Sequence, residues 1–172
     1  MKKAFVALTL AVTLSAKAPI PHSVASAQDT YTDVKLLTAQ AQDQAEKLST
    51  SIAAANFAPA FARERLDSLR RDLNAIGESV DHLFAARQFL PTPEREALDK
   101  AIPALQDAAR NTQAAIRDYN ETAHASWFLK NRELVKQIQA DTERAHNFLS
   151  RGQKLESTIE HENRAASEFS RL

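Results

Sequence analysis

Two Glu-x-x-His tetrads, Glu121/His124 and Glu143/His146, are the most chemically suggestive spacings in the chain. Residues three apart share a helix face, and paired tetrads of this kind hold the metals of ferritin-like di-iron bundles. The register works against that chemistry. With a chain turn near Ser126, antiparallel helices leave His124 and His146 roughly 27 Å apart along the axis, whereas a two-metal site needs its ions about 4 Å apart. Each histidine also follows a core position, Ala123 or Ala145, and reads as a solvated surface residue. A haem would need inward His or Met ligands. The single Met is Met1, and His82 and His161 do not converge. No metal and no other cofactor is expected.

Covalent catalysis has as little to work with. There is no Cys, so thiolate chemistry, disulfides and Cys-ligated metals are excluded. Ser49, Ser68, Ser79 and Ser150 are present, but a nucleophile elbow needs glycines and the chain has two. That scarcity also argues against phosphate-cradling loops and dinucleotide fingerprints. The densest basic cluster, Arg63, Arg65, Arg70 and Arg71, is interrupted by Glu64, Asp67 and Asp72. Such interleaving, as in Arg63/Asp67 and Asp67/Arg71, makes a solvated helix face instead of a nucleic-acid patch. No enzyme constellation and no nucleic-acid partner is expected.

The elements that carry these residues are helical. Apolar residues recur at steps of three and four from residue 29 onward, with no strand pattern. Four helices are predicted, at about 30–56, 59–90, 93–124 and 129–168. The first stripe is Val34, Leu37, Ala41, Ala45, Leu48, Ile52 and Ala55, entered through a Thr30/Asp33 capping box. The second, Ala62, Leu66, Leu69, Leu73, Ile76, Val80 and Leu83, follows Pro59. The third runs Leu98, Ile102, Leu105, Ala109, Thr112, Ile116, Tyr119 and Ala123. Thr92 is its expected cap, Pro93 its first residue, Glu94 and Glu96 its dipole partners, and Pro103 a bend. The fourth runs Leu134, Ile138, Thr142, Ala145, Leu149, Gly152, Leu155 and Ile159.

Four amphipathic helices joined by short connections imply an all-α, up-down-up-down four-helix bundle with shallow, coiled-coil-like crossings. Alanine-rich stripes allow close approach, and Gly152 is expected at the tightest contact. The turn between the third and fourth helices falls within 120–131, where no Gly or Pro marks it.

Ahead of the bundle, Met1-Lys2-Lys3 forms a positive n-region and Ala4–Leu14 an uncharged apolar run. The run is shorter than the roughly 20 residues a bilayer span needs. Ala25-Ser26-Ala27 supplies a small-residue cleavage site, so residues 1–27 read as a secretory signal peptide cut before Gln28. Those residues carry Lys2, Lys3 and Lys17 and no acid, leaving 19 basic against 22 acidic residues in mature 28–172, a net charge of −3. The mature chain is expected in the bacterial periplasm or outside the cell, without a stable membrane anchor. Leu37-Thr38-Ala39-Gln40-Ala41 approaches the Leu-Thr-x-x-Gln repeat of small periplasmic stress chaperones. Ala41 stands at the glutamine position and the segment occurs once, so no family is assigned.

The functional expectation is an exported, non-catalytic bundle that binds a protein or an envelope component. The alternative is a bundle holding a small ligand, lipid or metal in its interior. In an up-down-up-down bundle the first and third connections share an end, which gathers Phe57, Phe61, Trp127 and Phe128. That aromatic end is the candidate interaction site, either a lid over the core or a partner-binding surface.

Overall fold

A computed structural model describes residues 23–53, 59–122 and 124–170. Residues 1–22, which hold most of the expected signal peptide, lie outside it, as do Ala55, Phe57 and Ala123. Four helices pack against each other, with no strand among the described residues: α1 (Val24–Ala53), α2 (Pro59–Ala85), α3 (Thr92–Glu121) and α4 (His124–Phe169). A 3-10 turn at Arg87–Phe89 joins α2 to α3. No described helix is long and apolar enough to cross a membrane.

Each boundary has a local cause. Ser23 Oγ accepts the Ser26 N–H at 3.2 Å, which caps α1 six residues before the expected start. Thr30, expected to cap, lies inside the helix and donates its hydroxyl to the Ser26 carbonyl at 2.9 Å. Pro91 (φ −53°, ψ 151°) takes the cap position of α3 without a side-chain bond. Thr92 is instead the first helical residue, and its hydroxyl accepts the Arg95 guanidinium at 3.2 Å. α3 closes at Glu121 and α4 opens at His124, so the expected turn near Ser126 falls inside α4. Thr122 turns to an extended φ −116°, ψ 145° while its N–H still closes on the Asp118 carbonyl. A negative φ suits any residue and a β-branched one well, so no Gly or Pro was needed to make that turn.

α3 and α4 run antiparallel. Trp127 meets Ala115, Lys130 meets Asp118 and Gly152 faces Pro93 and Ala97, so α4 descends along α3. Arg65 donates to Gln44 at 2.6 Å between α2 and α1, and Tyr31 of α1 donates to the Leu149 carbonyl of α4 at 2.9 Å. Leu48, Leu66, Leu69, Ile76, Leu98, Ile138 and Leu149 are fully buried at the centre. Small residues fill the α3 interface, where Ala97, Ala101, Ala104, Ala108 and Ala115 are buried while Ala109 faces solvent. Buried Thr38 and Thr142 satisfy their hydroxyls on the carbonyls of Val34 and Ile138.

The α2–α3 seam is the loosest of the four. A groove of about 160 Å³ opens there between Leu73, Ile76 and Val80 on one side and Ile102 and Leu105 on the other. Gly77 borders it, and a Cβ placed on Gly77 would meet nothing within 4 Å. Gly77→Ala is therefore expected to stabilise the protein by about 0.5–1 kcal/mol, since only backbone freedom in the helix interior is lost. Urea unfolding should show a higher midpoint with an unchanged slope.

The fourth helix outruns its partners. Its 46 residues span about 69 Å against about 45 Å for the 30 of α3. Beyond Gly152 the stripe continues through Leu155 and Ile159, but these are 54 % and 37 % exposed.

Candidate functional site

The structure builds two ends of different chemistry. At the first, Tyr119, the last aromatic of α3, donates its hydroxyl to the Pro59 carbonyl at 2.8 Å. That bond ties the start of α2 to the end of α3. Trp127, in the first turns of α4 and not in a connection, lays its ring edge-on to Tyr119 at 5.5 Å and to Phe128 at 5.2 Å. Its indole N–H donates to the Ala115 carbonyl at 3.1 Å, and the ring is completely buried. Asn131, also buried, donates its amide to the Trp127 carbonyl one turn back. Phe128 is half-buried, and the next residue, Leu129, is 87 % exposed. Phe61 is half-buried with the Arg65 guanidinium 4.7 Å over its ring. Of the four residues expected here, the structure describes Phe61, Trp127 and Phe128; Phe57 lies outside the described residues.

Beside this end, between α2 and α3, Arg63, Asp67, Arg70 and Asn120 line a polar groove of about 250 Å³. Asp67 pairs with Arg70 at 3.5 Å, while Arg71 turns to the Asp67 carbonyl and the Ser68 hydroxyl. Acids thus interrupt the arginines in space as they do in sequence.

At the opposite end Glu94, in the first turn of α3, is 3 % exposed, and its Oε2 is buried without a hydrogen-bond partner. Burial first, then the nearby carboxylates Glu156 and Glu160, push its carboxyl up to about 7, against a pull from Lys35. Tyr31 lines the same pocket, and its phenol is pushed up by burial and by Glu94. Gly152 closes the floor. A Cβ there would stand 2.4 Å from Ala97 Cβ, 2.7 Å from Tyr31 Oη and 3.0 Å from the Pro93 carbonyl.

Sequence reasoning had assigned Glu94 to the helix dipole. Stepping four residues back from Leu98 along the third stripe would have placed it inward. Asp141 was missed as well. It is buried between α3 and α4, and burial pushes its carboxyl up. Arg144 at 3.3 Å pulls it back, Asp107 pushes it further up, and a bond from Asn111 at 3.4 Å lowers it.

Glu121 and Glu143 are exposed, and the side chain of His124 lies outside those described. His146, expected to be solvated, is half-buried: its Nε2 sits 3.3 Å from Ser150 Oγ and its Nδ1 is buried unpaired. No group of three or more His, Asp or Glu among the described residues is placed to hold a metal ion.

Compared with protein-family models, with known proteins and with solved structures, the chain matches none.

Proposed function

We propose that this chain is an exported, non-catalytic helical-bundle protein that binds another protein or an envelope component through its Trp127 end. The observation that carries the reading is Leu129, an almost fully exposed apolar side chain beside half-buried Phe128. It stands on a helix whose start is anchored by the Trp127 and Asn131 hydrogen bonds. A rigid support under an exposed apolar residue lowers the ordering cost of binding. Nucleic acid is not among the proposed partners, because the basic residues here are interleaved with acids.

Export rests on Met1–Lys3, the Ala4–Leu14 run and Ala25-Ser26-Ala27. A cut before Gln28 falls one turn inside α1 and removes the Ser23 cap and the buried Ala27 methyl. The four-helix core from Tyr31 onward is kept. Intact-mass measurement on protein recovered from a bacterial envelope should give a chain starting at Gln28. A mass that retains Lys2 and Lys3 would overturn the export reading.

Binding is tested separately. A photo-crosslinking residue at position 129 should trap one discrete species in intact cells, and the same residue at exposed Asn74 should not. Equal labelling from both positions would contradict a binding end.

The open α2–α3 groove supports a second reading, a small apolar ligand seated between Leu73, Val80 and Ile102. Native mass spectrometry, absorbance and metal analysis of the purified protein would each register a bound molecule.

A further inference from the structure

The overhang of α4 begins where Glu94 is buried. The last buried residue of α4 is Gly152, and residues 154–170 run on for roughly 25 Å with almost every side chain exposed. A helix of that length has little stability of its own in water, so its direction depends on how α4 is seated at Gly152. That seat has three walls. From α3 come Pro93, Ala97 and the Glu94 carboxyl, whose Oε2 has no hydrogen-bond partner, and from α1 comes Tyr31, whose hydroxyl holds the Leu149 carbonyl. The third wall is α4 itself, which carries Glu156 and Glu160 on the side facing Glu94. Among the described residues, the cation acting on the site is Lys35 of α1, which donates to Gln153 Oε1. No ion pair joins Lys35 to Glu94 among the described residues.

We propose that Glu94 is a proton-operated latch for this end of the bundle. Protonated, it lets α4 seat through Gly152 against α1 and α3. Ionised, it places a buried charge opposite two further carboxylates and drives α4 from Leu149 onward away from the seat. An uncharged carboxyl is far cheaper to bury than a carboxylate, which supplies the driving force.

The pH window follows from the carboxyl's behaviour in the two states. Unfolded, Glu94 titrates near 4.5; folded, it is held up to about 7. Between those values the folded chain keeps a proton that the unfolded chain has lost, so the seat weakens as pH rises through the window and stays weak above it. The latch is independent of the binding proposed for the Trp127 end.

Hydrogen exchange of the full chain, corrected for the intrinsic pH dependence of exchange, tests the latch locally. Amides of Tyr31–Lys35 and Leu149–Gln153 should lose about tenfold or more in protection between pH 5.5 and pH 8. Amides around Leu69 and Ile138 should not. Glu94→Gln should abolish the pH dependence and keep the high protection at both values. Glu156→Gln combined with Glu160→Gln should move the midpoint to lower pH. Protection that is constant with pH in the unsubstituted chain would overturn the proposal. So would a loss that persists in Glu94→Gln, or one spread evenly over all four helices. Should Glu94→Gln fail to fold, the midpoint shift in the Glu156/Glu160 variant still decides it, since no shift refutes the proposal.

Discussion

Trp127→Ala is expected to destabilise the fold by about 3–5 kcal/mol, the range for truncating a large, fully buried aromatic. The ring is completely buried, makes edge-on contacts with Tyr119 and Phe128, and satisfies the Ala115 carbonyl through its N–H. Truncation empties the largest buried side-chain volume in the bundle and leaves that carbonyl without its indole donor. It also removes the ring packed against Tyr119, whose hydroxyl holds the Pro59 carbonyl, so the start of α2 should loosen with it. Trp127→Phe keeps most of the volume and loses the hydrogen bond, and should cost about 1–2 kcal/mol. Denaturant unfolding followed by far-UV circular dichroism measures both. In the unsubstituted protein the tryptophan emission should be blue-shifted and only weakly quenched by iodide.

Gly152→Val is expected to cost about 3 kcal/mol, at the upper end for overpacking a tight contact. Two of the three atoms its Cβ would strike, Ala97 Cβ and the Pro93 carbonyl oxygen, are fixed to backbone and cannot swing aside. The third, Tyr31 Oη, can retreat only by giving up the Leu149 carbonyl. Gly152→Ala suffers the same Cβ clash but regains up to about 1 kcal/mol of helix propensity, so its net loss should be smaller. Ala97→Gly in the same chain should recover part of that loss, because it removes the nearest obstructing atom. A double-mutant cycle on positions 97 and 152 reads the coupling directly. The opposite signs expected at Gly77 and Gly152 show that surroundings, more than residue type, set the value of a helical glycine.

Much of the helix packing was legible because the stripes are regular. Leu66, Leu69, Leu73, Ile76 and Leu83 sit at steps of three, four and seven and are all buried. Gly152 could be read the same way, since a glycine on a core stripe leaves room only for close approach. Periodicity names an inward face but not the length of the partner beside it. Leu155 and Ile159 therefore continue the pattern on a part of α4 where both are exposed. Polar residues on the inward face are equally hard to read, because their types suggest solvent while their register places them inside. Glu94 was read only as a dipole partner for that reason, and Asp141 and Asn131 were passed over. The α3–α4 turn was hidden because an extended threonine can break a helix without glycine or proline. At the aromatic end, spacing gathered the residues but could not rank their exposure. Trp127 is the anchor of that end and Leu129 its exposed feature.

The central claim, that the Leu129 surface is a binding end on a rigid support, is tested most directly by Leu129→Ser in an affinity capture from envelope extract. The substitution lies on an exposed side chain, so its unfolding midpoint should stay within about 0.5 kcal/mol of the parent. With stability unchanged, a discrete partner held by the unsubstituted mature chain should be lost from Leu129→Ser. Capture of the same partner in equal amount by both chains would contradict the account.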